Sequence, residues 1–452
     1  MSDGTPPRDG FTSKFGVIAA ATGSAIGLGN IWRFPYVAGE NGGGAFLLIY
    51  FGFVLLIGIP VMLSEFVIGR KAQRNACGAF KTLAPGKPWY IVGLMGIVAA
   101  FVILAFYSTI AGWTLEYVYL SLSNAFSGES GATPAIIFQE FHTGTARPLM
   151  WQMIFMGLTA GIILCGVKKG IEKYTRILMP VLFFILLILC VRSITLPNAG
   201  EGLRFLFNPD FSKIDSGVIL SALGQAAFSL SIGMGALITY GSYIQKDNNL
   251  TKTAFQVSVA DVMIAVLAGV AIFPAVFAFG VSPQAGAGLV FIVLPDIFEQ
   301  MTGGYYFAIL FFVLLSIAAL TSSISILEVV VAYLAEEFKV KRKTAVLWAA
   351  LSISFIGVFS TLSFGRLSEY LFLGLTFFDI LDFLAANILL PLGGLLIVLF
   401  MGWFYPLNKT KTEISNNGVL KTQLFTLYVF IIKFLAPIAI AIVFLNGLGL
   451  FK

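Results

Sequence analysis

An apolar segment that begins near Phe15 is interrupted where a membrane helix should be most regular. The interruption reads Gly23-Ser24-Ala25-Ile26-Gly27-Leu28-Gly29-Asn30-Ile31-Trp32-Arg33-Phe34-Pro35. Glycines at 23, 27 and 29 each weaken a helix by roughly 1 kcal/mol relative to Ala. Asn30 and Arg33 are polar, and an Arg at membrane depth costs roughly 2.5–3.5 kcal/mol on insertion scales. Pro35 removes one more rung of the hydrogen-bond ladder. Broken backbone at this depth is tolerated only where protein buries it or where it lines a cavity. Residues 23–30 are therefore expected to form an unwound hinge whose freed carbonyls face a ligand. A small-residue packing face on Gly23 and Gly27 would account for the glycines but not for Asn30 and Arg33.

The chain around this hinge is built for lipid. Of its 452 residues 58% are hydrophobic and 11% charged, against about 25% charged in a soluble domain. Apolar runs long enough to span a bilayer lie at 11–37, 43–70, 89–124, 149–166, 171–196, 216–243, 252–280, 304–335, 344–362, 373–404 and 422–449, which predicts eleven helices. The run at 149–166 is the shortest evidence for a span. No cleavage site follows the first run, so it is expected to remain in the chain. Connections on one face carry 20 Lys and Arg, those on the other carry 6, and Arg33 and Lys433 lie inside spans. The positive-inside rule puts the N-terminus in the cytoplasm and Lys452 outside. The net charge of +6 is thus a topology signal, and no nucleic-acid partner is expected. Cys77, Cys165 and Cys190 show neither metal spacing nor an even disulfide set, and His142 stands alone in a polar loop. No nucleophile–base pair is visible, so the chain is not read as an enzyme.

Five spans after the first break comes a second. Gln225-Ala226-Ala227-Phe228-Ser229-Leu230-Ser231-Ile232-Gly233-Met234-Gly235 puts Ser and Gly in mid-span, and Gly233-x-Gly235 echoes Gly27-x-Gly29. Interrupted segments at corresponding positions of two halves indicate a secondary transporter with its site where the breaks meet. Five spans per half is odd, so the second half must be inverted. The expected organisation is one transporter domain, 1–452, with repeats at 11–196 and 216–404 and an eleventh helix at 422–449.

The run Gly27-Leu28-Gly29-Asn30-Ile31-Trp32-Arg33-Phe34-Pro35, followed by Asn41-Gly42-Gly43-Gly44-Ala45-Phe46, resembles the signature of the neurotransmitter:sodium symporter family, the LeuT fold. The likeness continues through Gly58-Ile59-Pro60, Glu65, Gly69-Arg70, Trp113-Thr114-Leu115, Ser229-Leu230-Ser231, Tyr240-Gly241-Ser242-Tyr243 and Leu320-Thr321-Ser322-Ser323. It covers nearly the whole chain in order. The chain departs from the commoner twelve-helix pattern by stopping at eleven, and in this and in its pocket it resembles one bacterial hydrophobic amino acid transporter of the family. The fold so implied is all-α, with helices 1 and 6 broken and helices 1–5 and 6–10 as the inverted repeats.

The resemblance implies two Na⁺ sites. The first would use the Ala25 carbonyl, Asn30, Ser229 and Asp261, completed by the substrate carboxylate. The second would use carbonyls of Gly23, Ile26 and Ala318 with the hydroxyls of Thr321 and Ser322. Family members that bind Cl⁻ would place it near Tyr50, Gln225 and Ser229. Here Asp261, in Ala260-Asp261-Val262-Met263, is expected to supply a fixed negative charge, so no Cl⁻ requirement is expected. The substrate would be a neutral amino acid. Its carboxylate would meet the N–H groups of Gly27 and Gly29 and the Tyr107 hydroxyl. Its ammonium would meet carbonyls near Ala25, Phe228 and Ser231. Its side chain would meet Ile26, Ile103, Tyr107, Phe228, Ser231, Met234, Ser322 and Ile326. None of these is charged, so a charged side chain would be costly to bury. Met234 is adaptable, which implies a range covering Leu, Ile, Val and Met and extending to Phe, Tyr and Trp.

By the same resemblance, Arg33 and Asp382 would form an outer gate over Phe228, with Asp379 as a competing partner. Arg8 and Glu336 would form an inner gate beside Phe11, Ser242 and Tyr243. Gly170 and Pro180 bracket the start of the fifth span, and their helix-weakening properties mark it as a segment able to unwind and admit water. Glu65 is the candidate for proton counter-transport. The whole reads as Na⁺-coupled symport by alternating access in a bacterial plasma membrane, with two Na⁺ per substrate. The rival is an amino-acid-binding sensor or channel that does not accumulate its ligand.

Overall fold

The computed structural model describes residues 10–127, 132–284 and 288–450. Among them the chain is a bundle of helices with no β-sheet. Among the described residues nine helices are long and apolar enough to cross a membrane: α2 (Gly44–Ala72), α3 (Tyr90–Leu122), α4 (Ala146–Leu164), α5 (Val167–Ile194), α7 (Leu250–Ala278), α8 (Gly304–Glu337), α9 (Arg342–Leu362), α10 (Phe377–Phe404) and α11 (Phe425–Gly447). Lys14–Ala25 and Gly29–Glu40 form a tenth span, α1, bent by 51° at its break. Ser216–Ser229 and Ala236–Gly241, separated by residues 230–235, form the eleventh, α6.

Polar caps start several of these helices. Ser13 Oγ accepts the Gly16 N–H at 2.9 Å, Asp215 accepts Val218 N–H at 2.8 Å, and Asn249 accepts Lys252 N–H at 2.9 Å. Helix α10 begins with a capping box between Thr376 and Asp379. It starts four residues later than expected from hydropathy, because Gly374 adopts φ +78° in a turn that closes Phe372 on Leu375. Helices α4 and α5 start three and four residues earlier than expected. Long α3 and α8 pack against each other at the centre, with the first half of α1 against α8, α7 and α5. Large side chains such as Phe184, Val191, Leu351, Phe355 and Ile438 are exposed on the outer helices. That apolar belt is what a lipid-embedded bundle presents.

The first break is narrower than residues 23–30. Gly23, Ser24 and Ala25 stay helical, Ile26 turns extended, and the chain resumes at Gly29 in a wide π-type turn through Arg33. The carbonyls of the last helical turn still lack partners within the helix, as at any helix end. The second break carries Ser231, Gly233 and Gly235 at φ +56°, +87° and +75°. Only Gly fits at 233, where a Cβ would lie 2.5 Å from the Leu390 carbonyl oxygen. Between Gly170 and Pro180 the chain is wound: a wide turn, Val167–Glu172, runs directly into regular helix.

Candidate functional site

The two breaks meet inside the bundle. Ser231 Oγ, from the second break, donates to the Ser24 carbonyl of the first at 3.0 Å. Ser322 Oγ, from α8, reaches the same carbonyl at 3.5 Å. Every residue from Ala21 to Ile31 is buried. Gly27 is held between walls: a Cβ there would lie 2.9 Å from Ser322 Cβ and 3.1 Å from the Tyr107 hydroxyl. The Tyr107 hydroxyl accepts the Leu28 N–H at 3.3 Å, and Asn30 Oδ1 accepts the Gly27 N–H at 3.2 Å.

Asp261 gathers the first cluster. Its carboxylate accepts Asn30 Nδ2 at 2.8 Å, Tyr50 OH at 2.9 Å and Ser229 Oγ at 2.8 and 2.9 Å. Asp261, Asn30, Tyr50 and Ser229 are all buried. Gln225 Nε2 donates to the Gly29 carbonyl at 2.9 Å, while its Oε1 is buried without a hydrogen-bond partner among the described residues. The proposed Cl⁻ positions Tyr50 and Ser229 thus both bond the Asp261 carboxylate.

The second cluster joins the end of the first half of α1 to α5 and α8. A Cβ on Gly23 would meet Thr321 Cβ at 3.3 Å, Met179 Sδ at 3.4 Å and Thr175 Cγ2 at 3.5 Å. Thr321 Oγ1 donates back to the Ile317 and Ala318 carbonyls, each at 3.1 Å. That donation leaves the hydroxyl lone pairs unused. Thr22 Oγ1 and Ser24 Oγ, on either side of Gly23, are buried without a hydrogen-bond partner among the described residues. Such orphans are uncommon in folded proteins and call for a ligand or water.

Apolar side chains complete the space between the breaks. Ile103, Met234 and Ile326 are buried, and Phe228 is half-buried at the rim. The Phe228 ring would touch a Cβ on Gly29 at 3.3 Å. The Arg33 guanidinium lies over the Phe228 ring, 4.4 Å from its centroid, a cation–π contact. Asp382 lies within electrostatic reach of Arg33, but among the described residues no ion pair within 4.0 Å joins them. Asp379 is occupied elsewhere, its Oδ2 accepting Thr376 Oγ1 at 2.6 Å. Arg33, Phe228, Gln225, Asn387 and Asn446 line an adjoining cavity of about 320 Å³.

The end that bears the basic loops is closed. Phe11 N–H donates to the Tyr243 carbonyl at 3.2 Å, Gln245 Nε2 donates to the Phe11 carbonyl at 3.0 Å, and the Phe11 ring meets Tyr240 and Tyr243 edge-on. Arg8 lies outside the described residues. Glu336 accepts the Asn75 N–H at 2.8 Å and stands 3.5 Å from Arg74 Nε. Glu65 accepts the Gly233 N–H at 2.9 Å and so anchors the second break.

Among the charged ties that escaped the sequence reading are those of Glu328, Arg70 and Glu172. Glu328, wholly buried on α8, receives the Tyr243 hydroxyl at 2.6 Å and Arg342 at 2.6 and 2.9 Å. Arg70, buried at the end of α2, pairs with Glu413 at 2.7 Å and donates to the Asn248 carbonyl at 2.6 Å. Glu172, at the start of α5, holds the chain before α1. A carboxylate inside an apolar run, as in Leu327-Glu328-Val329, was the available signal.

The profile of the sodium:neurotransmitter symporter family matches residues 8–134 and 138–452. An uncharacterized sodium-dependent transporter of Bacillus subtilis is 42% identical over 100% of this chain and 99% of its own length. One from Haemophilus influenzae is 36% identical over 99% of this chain and 100% of its own. Among solved structures, that of MhsT in complex with L-phenylalanine superimposes with a TM-score of 0.89 at 48% identity, covering 97% of this chain and 100% of that one.

Proposed function

The chain belongs to the sodium:neurotransmitter symporter family, and we propose that it imports neutral, hydrophobic L-amino acids together with two Na⁺ ions, without Cl⁻. Sodium-dependent transport by a multi-pass membrane protein of the LeuT fold is the family's activity, and no catalytic activity goes with it. The observation that carries the substrate reading is the contact of the two breaks at Ser24 and Ser231, beside apolar Ile103, Met234 and Ile326. A zwitterion fits such a place. Helix ends supply N–H groups for its carboxylate and free carbonyls for its ammonium, and the apolar wall takes its side chain. The solved structure of MhsT holds L-phenylalanine, which supports an aromatic member of the range.

Na⁺ enters as cargo. The first ion would sit with Asn30, Ser229, the Ala25 carbonyl and Asp261, the carboxylate giving it a counter-charge. The second would sit with the Gly23, Ile26 and Ala318 carbonyls and the hydroxyls of Thr321 and Ser322. The unpartnered Thr22 and Ser24 hydroxyls nearby support a polar ligand there. Because the amino acid's carboxylate completes the first Na⁺ shell, each promotes the other's binding. The basic end is the cytoplasmic one, closed here by Phe11, Tyr243 and Gln245. The broken helices α1 and α6 move against the helices packed around them to open it, with Arg33, Phe228 and Asp382 closing the outer side. Arg8–Glu336 acts at the inner gate, and unwinding between Gly170 and Pro180 admits water. Two Na⁺ carry net charge inward, and each charge is worth about 2.3 kcal/mol per 100 mV.

Uptake of labelled Leu, Phe and Trp into proteoliposomes tests this. An inward Na⁺ gradient is expected to drive accumulation that a K⁺ gradient does not. Binding without accumulation would instead support a sensor.

A further inference from the structure

The Glu172 carboxylate lies at the cytoplasmic start of α5 and is 2% exposed. Among the described residues, its carboxylate accepts three hydrogen bonds, all from the segment that leads into α1. Thr12 N–H reaches Oε2 at 2.8 Å, and Thr12 Oγ1 and Ser13 Oγ each reach Oε1 at 2.9 Å. Ser13 is also the N-cap of α1, so the carboxylate holds the cap that starts the helix. Gly16, one turn on, leaves room for this carboxylate: a Cβ there would lie 2.2 Å from Glu172 Oε1. The Arg176 guanidinium stands 6.0 Å from the Phe15 ring. Thr175 and Met179, three and seven residues after Glu172, share its face of α5 and flank Gly23, where a Cβ would lie 3.5 and 3.4 Å from them. One stripe of α5 thus runs from the N-cap of α1 to the second Na⁺ cluster.

We infer that Glu172 is a positioning residue of the transport cycle: its carboxylate is the catch that holds the cytoplasmic end of α1 on a wound α5, and cytoplasmic opening requires its release. This rests on the alternating-access reading above. The catch works because charge-assisted hydrogen bonds are strong and leaving a buried carboxylate without donors is costly. The first half of α1 therefore swings away only when Glu172 leaves with the Val167–Glu172 turn or gains water. Na⁺ bound at Gly23 and Thr321 would favour the engaged catch, since the same stripe packs on Gly23.

Hydrogen exchange of the peptide spanning 167–179 in the full-length protein, read with and without Na⁺, tests the inference. Glu172→Ala is expected to speed exchange there by about tenfold or more, with α9 and α10 unchanged, and to raise the Na⁺ concentration for half-maximal uptake. Gly16→Ala, which displaces the carboxylate sterically, is expected to reproduce both effects. Glu172→Gln, which keeps an acceptor for the Thr12 N–H, should recover part of the protection. Wild-type exchange at 167–179 in both Glu172→Ala and Gly16→Ala would overturn the inference. So would acceleration spread evenly over all spans, which marks general destabilisation. If the wild type needs no Na⁺ for uptake, the transport reading fails, while the exchange comparison without Na⁺ still decides the role of Glu172.

Discussion

Replacing Asp261 by Asn removes one negative charge while keeping the side chain's shape. In the wild type, Asn30, Tyr50 and Ser229 donate to the carboxylate at 2.8–2.9 Å. Two unit charges about 4 Å apart interact by about 4 kcal/mol at an effective dielectric constant near 20, and a carboxylate that ligates the ion stands closer than that. The Asn amide retains one oxygen and sets an N–H₂ against surrounding donors, so roughly 2–4 kcal/mol of Na⁺ binding should be lost. That is about 30- to 1000-fold in the Na⁺ concentration for half-maximal binding of labelled Leu. The assay is a Na⁺ titration of Leu binding to purified protein, in gluconate and in chloride. Wild-type binding should not depend on the anion. The variant should respond weakly in gluconate and recover in part when Cl⁻ replaces the lost charge. A variant with wild-type half-saturation would remove Asp261 from the ion site.

Gly27→Ala should abolish amino acid binding in a protein that still folds, because a Cβ would meet Ser322 at 2.9 Å; equilibrium binding and size-exclusion chromatography check the two halves. Met234→Phe should cut Trp uptake more than tenfold relative to Val, since the rigid ring fills space that the flexible thioether yields; competition against labelled Val reads the ratio. Arg70→Ala should destabilise the protein by roughly 3–5 kcal/mol, because it strands Glu413 and the Asn248 carbonyl; thermal unfolding in detergent measures it, and joint replacement of Arg70 and Glu413 should cost less than the sum.

The spans and both breaks were legible because lipid imposes a simple rule: twenty apolar residues, or a reason for fewer. Asn30 and Asp261 were legible for the same reason, as polar groups with no business in an apolar run. Where the first break begins was not legible, since Gly23–Ala25 are helical on the strength of packing against α5, α7 and α8 rather than propensity. Asp382 was the expected partner of Arg33, but Asp379 stayed a competitor until the capping box claimed it. Glu172 was hidden among Lys168, Lys169 and Lys173, where a carboxylate reads as one more surface charge. Its burial comes from Thr12 and Ser13, some 160 residues away in the chain, and no local pattern encodes such a pairing.

The central claim is that Na⁺ and the amino acid complete each other's site. Reciprocal binding tests it most directly. The factor by which saturating Na⁺ tightens Leu binding should equal the factor by which saturating Leu tightens Na⁺ binding, as linkage demands of coupled sites, and should be well above tenfold. Leu binding that is the same in Na⁺ and in K⁺ would contradict the account.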